Sequence, residues 1–247
     1  SFCAVAIGTE TDGSILSPAA LNGIVGFKPT QTRVSGRGVI PLSPRQDVAG
    51  PMGRNVADVA SVATILFDQP FDVAPVLTAR ADVLKGRRIG WWPGSPNLRP
   101  DVLAQCNQIR DLLIANGAEI VDLNLPVGLQ QFGAAEFLAL LYEFKQAIDS
   151  YLGDLAPTRC ETRSLAELID FNRREAAREM PFFGQEIFEQ SVACGPLTEP
   201  KYLEAVQSLK QSVDVDGLAV LFAQSTLDLI MSPGSGPAEL IDPIWGN

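Results

Sequence analysis

The sequence predicts an α/β protein in which helices cover a mixed or parallel sheet. Residues 87–92 and 119–125 have the apolar content of strands, and a helix that begins at Pro100 separates them. Beyond residue 130 one apolar helical stripe follows another, until residues 227–231 return to the composition of a strand. We therefore expect an α/β part, then a helical part, and then a short return to the sheet.

This pattern divides the chain into three regions. Residues 1–129 should form part of an α/β core, residues 130–226 a helical region that covers it, and residues 227–247 a strand and loop that return to it. A chain of 247 residues is long enough to bury the core of one large domain or of two small ones.

The first region should contain further strands and a well-marked helix. Residues 2–7 form an apolar run that predicts a buried strand, and residues 24–27 predict a central strand. Residues 30–51 are rich in Gly, Pro, Ser and Arg, which predicts a long ordered loop across the surface. Asn55 precedes apolar residues at helical spacing, so it should cap a helix.

The helical region carries apolar stripes and a capping signal. Ser164 and Glu167 have the spacing of a capping box. The stripes could line a hydrophobic channel, although core packing is the commoner use of this spacing. They consist of Phe137, Leu140, Leu141, Phe144 and Ile148 in one helix, and of Tyr202, Val206, Leu209 and Val213 in another.

Charge and composition exclude several classes of function. The chain has 19 basic and 29 acidic residues, and its net charge of −10 repels nucleic acid and anionic lipid. No apolar run approaches the ~18 residues that would span a bilayer. The four cysteines show no metal-ligand spacing, and there is no histidine. We therefore expect no metal and no cofactor, and no imidazole base for a Ser or Cys nucleophile.

The segment of residues 8–15 is the best candidate for chemistry. Gly13 permits backbone angles that a side chain would forbid, so several successive N–H groups could point to one spot beside the Ser14 hydroxyl. This is the geometry of an oxyanion hole. The alternative is a polar turn after a strand, with no catalytic role.

The sequence around this segment resembles the second half of the amidase signature. The resemblance covers about residues 2 to 60, and it is specific because six short matches occur in order and at close spacing. They are Gly8-Thr-Glu-Thr-Asp-Gly-Ser-Ile15, Ser17-Pro-Ala-Ala20, Gly23-Ile-Val-Gly-Phe-Lys-Pro-Thr30, Arg33-Val-Ser35, Asp47-Val-Ala-Gly-Pro51 and Val56-Ala-Asp58. Glu10 together with Asp12 looks more like the peptide amidase branch than like branches with Gly at the second place.

The resemblance implies a fold, an activity and a set of site residues. It implies the amidase signature fold, with residues 1–129 carrying the nucleophile loop, and hydrolysis of carboxamide C–N bonds through an acyl-enzyme on Ser14. The backbone N–H groups of Thr11, Asp12, Gly13 and Ser14 would form the oxyanion hole. Asp12 would also bind substrate, and the segment with Ser232 and Gly234 would border the acyl side of the site. The expected substrate is a small-molecule or peptide amide.

The chain departs from the family in one respect. Family members use a Lys that acts through a second Ser, held in a cis peptide, and both lie upstream of the Gly8 segment. No such stretch occurs in this sequence. We therefore expect a fragment that supplies the nucleophile and the oxyanion hole, is inactive alone, and has the missing flanking segments of the same protein as its partners. A cytoplasmic location is expected, with a periplasmic or secreted one left open.

Other interpretations remain open at this stage. The chain could be an inert fragment or an interaction module of an amidase-like protein. Ser1 could be an N-terminal nucleophile with its own α-amine as base. Lys28 could be a catalytic base, although the resemblance makes it structural. Asp47 could pair with Arg33 or Arg54, and a structural salt bridge is the commoner use of such a carboxylate.

Overall fold

The computed structural model describes residues 2–69, 71–78, 80, 82–94, 98–126, 128–234 and 238, and the strands among these residues form two three-stranded sheets. The first sheet has the order β1-β3-β2, and the second has the order β5-β4-β6. The strands are β1 Val5–Glu10, β2 Val25–Gly26, β3 Val48–Gly53, β4 Arg88–Trp91, β5 Glu119–Asp122 and β6 Leu229–Met231.

The first sheet is antiparallel and differs from the prediction at each of its three strands. The first strand lies at 5–10 rather than 2–7, and it is not buried, because it is an edge strand in which Ile7 is 52% exposed. The strand predicted at 24–27 is two residues long and also lies at an edge. The central strand is β3, which the sequence had placed partly in a loop.

Close backbone packing explains why β3 was missed. A Cβ atom on Gly50 would lie 2.1 Å from the carbonyl oxygen of Phe27, so only glycine fits at this position. Gly50 is therefore required by the contact of β3 with the residue that follows β2. In sequence patterns the glycines and the proline of β3 indicate a loop.

The second sheet is parallel, as the pattern of strand, helix and strand predicted. β4 lies between β5 and β6, with Arg88 opposite Glu119 and Ile89 opposite Leu229. A 16-residue helix, Pro100–Ala115, connects β4 to β5. The mixed α/β architecture is thus confirmed.

Helices make up most of the rest of the described chain, and the two predicted N-terminal caps are confirmed. Asn55 accepts a hydrogen bond from the N–H of Asp58, and Ser164 accepts one from the N–H of Glu167. The helices are α1 Leu16–Leu21, α2 Val56–Leu66, α3 Ala74–Leu77, α4 Pro100–Ala115, α5 Gly128–Gln131, α6 Gly133–Asp154, α7 Leu165–Arg174, α8 Ala176–Glu179, α9 Glu186–Val192, α10 Pro200–Leu209, a π-helix Lys210–Leu218 and α11 Ala219–Ser225.

Helix α6 is the centre of the helical region. Its residues Ile148 and Leu152 pack with Leu165 and Ile169 of α7 in a buried apolar cluster. Helices α9 and α10 also contact α6. A separate cluster of Val34, Val48 and Ala49 lies at the first sheet. Within the described residues, no helix is both long enough and apolar enough to cross a membrane.

Candidate active site

The Ser14 loop, residues 11–15, joins β1 to α1 and is closed by the side chain of the residue before it. Glu10 is the last residue of β1 and is only 3% exposed. Its Oε2 accepts hydrogen bonds from the backbone N–H groups of Ile15 and Leu16, both at 2.9 Å. The carboxylate therefore connects the two ends of the loop and fixes their separation.

Lys28 holds the same loop from the side of β2. Its Nζ atom donates a hydrogen bond to the carbonyl oxygen of Thr11 at 2.6 Å and lies 3.7 Å from Oε1 of Glu10. An ammonium group with these two partners has a structural task, as the resemblance implied. The contacts therefore do not favour Lys28 as the base for Ser14.

Asp47 fixes the loop through Thr11. The Thr11 hydroxyl donates to Oδ1 of Asp47 at 2.6 Å, while Oδ2 accepts the N–H groups of Leu42 and Ser43 at 2.7 and 2.8 Å. The expected salt bridge of Asp47 with Arg33 or Arg54 is not formed among the described residues. Asp47 is structural, but through hydrogen bonds to hydroxyl and amide donors.

The residue after Ser14 anchors the loop in the first sheet. Ile15 is fully buried, and its side chain packs where three glycines leave room. A Cβ atom on Gly8, Gly26 or Gly50 would lie 3.2, 3.2 or 2.9 Å from Ile15 side-chain atoms. The three glycines therefore form a socket for Ile15, which keeps the neighbouring Ser14 in place.

Ser14 itself is exposed at the surface of this rigid loop. Within the described residues, the backbone N–H groups of the four predicted donors, Thr11, Asp12, Gly13 and Ser14, have no hydrogen-bond acceptor. Gly13 has a φ of +148°, an angle that L side chains rarely adopt, although a Cβ atom there would meet no neighbour. The loop thus presents a hydroxyl together with successive unengaged donors, the groups that stabilise an oxyanion during acyl transfer.

The other residues predicted for the site lie in different surroundings. Thr11 is buried, and Asp12 is exposed with no bonded partner in the described part of the chain. Ser232 and Gly234 follow β6 of the second sheet, and Pro233 between them lies near Gly94. No hydrogen bond between the described residues joins them to the Ser14 loop. Ser1 and residues 235–237 lie outside the described residues.

An open cavity of about 890 Å³ lies between residues 31–49 and helix α6. Asp47 lines it, whereas Ser14 does not. Among the described residues no cluster of acidic or cysteine side chains could hold a metal ion.

A buried polar cluster on the wall of this cavity was not predicted from the sequence. Glu143 of α6 is 4% exposed and accepts hydrogen bonds from the Ser43 hydroxyl, from Nε of Arg45 at 2.8 Å and from the Tyr202 hydroxyl at 2.9 Å. Burial and the bond to Glu143 raise the pKa of Tyr202 to about 12. The signal that could have found this cluster is an acidic residue within the buried face of a long helix.

Comparisons with known proteins agree on one family. A family model described as Amidase matches residues 1–241. The chain is 34% identical to a probable amidase of Arabidopsis thaliana, over 98% of this chain and 48% of the plant protein. It is 37% identical to the indoleacetamide hydrolase of Rhizobium radiobacter, over 62% of this chain and 32% of that protein.

Solved structures of peptide amidases have the same fold. The peptide amidase PAM in complex with the competitive inhibitor chymostatin matches with a TM-score of 0.88 and 35% identity, over 99% of this chain and 52% of that chain. The native peptide amidase from Stenotrophomonas maltophilia matches with a TM-score of 0.81 and 37% identity, over 93% of this chain and 49% of that chain. The chain thus spans about half the length of these relatives. Because the family model covers nearly all of the sequence and these structures match its fold, the chain belongs to the amidase signature family, in its peptide amidase-like branch.

Proposed function

We propose that this chain is the nucleophile-bearing part of a hydrolase that cleaves the C–N bond of carboxamides through an acyl-enzyme on Ser14. One observation carries the proposal. An exposed serine hydroxyl lies beside successive unengaged N–H groups in a loop that Glu10, Lys28 and Asp47 hold in place. Such a preformed arrangement stabilises negative charge in the transition state without reorganisation of the backbone.

The reaction has two stages. The Ser14 oxygen attacks the carboxamide carbon and the carbonyl electron pair moves onto oxygen. The N–H groups of Thr11, Asp12, Gly13 and Ser14 stabilise the resulting oxyanion. When the tetrahedral intermediate collapses, the C–N bond breaks and the amine leaves with the proton that Ser14 lost. Water then attacks the acyl ester, and the carboxylic acid is released with regeneration of the Ser14 hydroxyl.

The proton that Ser14 loses needs a base, and the contacts of this chain do not point to one. The chain has no histidine, and its Lys28 is bonded to the Thr11 carbonyl. We propose that a lysine relays the proton through a second serine, the Ser-cisSer-Lys arrangement, with both residues supplied by flanking sequence. The chain alone should then be inactive, because it has the nucleophile and the oxyanion donors but no base.

The proposed substrates are small amides and peptide amides. Two of the proteins that this chain resembles are named for such compounds, one a peptide amidase and the other an indoleacetamide hydrolase. Asp12 is exposed and lies two residues before Ser14, and its carboxylate would accept a hydrogen bond from a substrate amide N–H. Unlike a tertiary amide, a primary or secondary amide offers that donor.

Replacement of Ser14 by alanine tests this proposal. The measurement is ammonia release from peptides with a C-terminal amide, in the full-length protein, that is, this chain with its native flanking sequence. We expect Ser14→Ala to lower kcat by about 10³-fold or more, as for loss of other serine nucleophiles. Ser17→Ala is the matched control, because Ser17 is also exposed and lies in the first turn of the adjacent helix. Undiminished turnover by Ser14→Ala would rule out the assignment.

A covalent label gives an independent measurement. An activated acyl ester or a fluorophosphonate should add one acyl or phosphonyl group per protein molecule, and digestion followed by mass spectrometry should locate it on Ser14. The chain without its flanks should remain unlabelled, since no base activates the hydroxyl. Rapid labelling of the isolated chain on Ser14 would show instead that its own residues suffice.

A further inference from the structure

We propose that Glu143 is a positioning residue for the Ser14 loop, acting across the contact between helix α6 and residues 41–47. The inference rests on the proposed amidase function. Glu143 lies in the helical region, far along the sequence from the loop, but four successive polar groups join the two: Glu143, Ser43, Asp47 and Thr11.

The first link is at the Glu143 carboxylate. Three donors surround it, the hydroxyls of Ser43 and Tyr202 and the guanidinium Nε of Arg45, and each is directed to one of its oxygens. Only acceptor atoms satisfy such a set of donors. The buried carboxylate therefore fixes Ser43 and Arg45 of the 41–47 segment against α6 and α10.

Ser43 is the residue that transmits this position. It is fully buried, its hydroxyl donates to Glu143, and its backbone N–H donates to Oδ2 of Asp47 at 2.8 Å. A displacement of Ser43 therefore moves one of the donors that hold the Asp47 carboxylate. The other donor to the same oxygen, the N–H of Leu42, belongs to the same segment and would move with it.

The last link reaches the proposed oxyanion donors. Asp47 accepts the Thr11 hydroxyl at 2.6 Å, and the N–H groups of Asp12, Gly13 and Ser14 follow Thr11 directly in the chain. Oxyanion donors act only when they lie within about 0.5 Å of their productive position. Loosening the bond between Asp47 and Thr11 should therefore weaken transition-state stabilisation more than it weakens substrate binding.

The test is Glu143→Gln in the full-length protein, with kcat expressed per Ser14 that accepts the covalent label. Gln keeps the size of the side chain but places an NH₂ group where an acceptor oxygen was, so one donor loses its partner. We expect kcat per labelled site to fall about 10-fold while KM changes less than about 2-fold, the result of losing an interaction made only in the transition state. Tyr202→Phe, which removes one donor without burying a new one, should lower kcat about 2- to 3-fold in the same direction.

Tyr142→Phe is the matched control. Tyr142 is the neighbouring residue on α6, is equally buried at 4% exposed, and donates to a different carboxylate, that of Glu199. Tyr142→Phe should lower thermal stability to a degree similar to Glu143→Gln, but it should leave kcat per labelled site unchanged. If Glu143→Gln and Tyr142→Phe have the same kcat per labelled site as the parent, Glu143 is merely structural and the inference is wrong.

A double variant tests the route. If the effect travels through Ser43, then Ser43→Ala combined with Glu143→Gln should lower kcat no more than the stronger single variant. Multiplicative losses would contradict the route. Failure of the amidase proposal itself gives a different result, because Ser14 would then not be labelled and Ser14→Ala would keep full turnover.

Discussion

Around the Ser14 loop the contacts are mainly hydrogen bonds and close backbone approaches, whereas α6 and α7 are joined mainly by apolar side chains. The loop depends on Glu10, Lys28 and Asp47, and on glycines that admit Ile15. The helical core depends on residues such as Ile148 and Leu165. Directional contacts fix atoms within tenths of an ångström, while apolar packing supplies free energy of folding. We therefore expect changes around the loop to affect catalysis, with loss of the fold where the backbone can no longer pack, and changes in the helical core to affect stability alone.

The largest expected effect is a loss of stability in the first sheet, which supports the Ser14 loop. In Gly50→Ala the new Cβ would lie 2.1 Å from the Phe27 carbonyl oxygen, so β2 and β3 must separate. We expect a loss of more than about 4 kcal/mol in the free energy of unfolding, measured by urea denaturation. Gly36→Ala is the control, because a Cβ there meets nothing within 4 Å. Equal stability of the two variants would contradict the packing of β3 against β2.

The second prediction concerns the stability of the apolar core between α6 and α7. Leu165 is fully buried between α7 and α6, so Leu165→Ala should cost about 3 kcal/mol of folding free energy. Leu203→Ala, at a position that is 53% exposed, should cost much less. In the folded Leu165→Ala protein, kcat per labelled Ser14 should equal that of the parent. A lower value would show that apolar packing in the helical core also sets the geometry of the loop.

A smaller change in stability with a larger change in rate is expected at Glu10. Glu10→Gln removes the charge that Ile15 and Leu16 N–H groups and Lys28 share, and charge-assisted hydrogen bonds contribute about 2 kcal/mol. We expect a stability loss of about that size together with a fall in kcat per labelled site. Glu204→Gln, at an exposed position of α10, should change neither quantity. A parent-like kcat in Glu10→Gln would show that closure of the loop is not required.

The smallest effect concerns pH and the contact between α6 and α10. The bond to Glu199 and burial raise the pKa of Tyr142 to about 12, and burial and the bond to Glu143 raise that of Tyr202 to about 12. Both folded-state pKa values lie above the unfolded value of 10.0, so the protonated phenols stabilise the fold. This contribution is fully present below pH 10 and should be lost as pH rises toward 12.

Thermal unfolding between pH 9 and 12 measures this contribution. The parent should lose stability over the interval more steeply than Tyr142→Phe or Tyr202→Phe, since each variant lacks one of the two phenols. Absorbance at 295 nm should show two of the three tyrosines ionising only near pH 12. Parallel stability curves for the parent and both variants would contradict the prediction.

The sequence was most informative where a residue pattern and a local structure correspond directly. The parallel strands around α4 and the caps at Asn55 and Ser164 follow from such patterns. The family was recognised from short motifs near Ser14. The central strand β3 was missed because the close approach that requires Gly50 depends on Phe27, a neighbour in space that the local sequence does not reveal. Glu143 was missed for the same reason, since its donors lie about 100 residues earlier and 59 residues later.

The socket of Ile15 fixes the residues next to Ser14, so substrate preference should depend mainly on other residues. Because Ile15 is enclosed by Gly8, Gly26 and Gly50, we expect the backbone beside Ser14 to change little in response to the shape of a bound amide. Adaptation to different acyl and amine groups must then come from residues outside this socket. Libraries that aim at new substrates should leave residues 8–15, Gly26 and Gly50 unchanged and vary the surrounding residues, so that each variant keeps the proposed reaction centre intact.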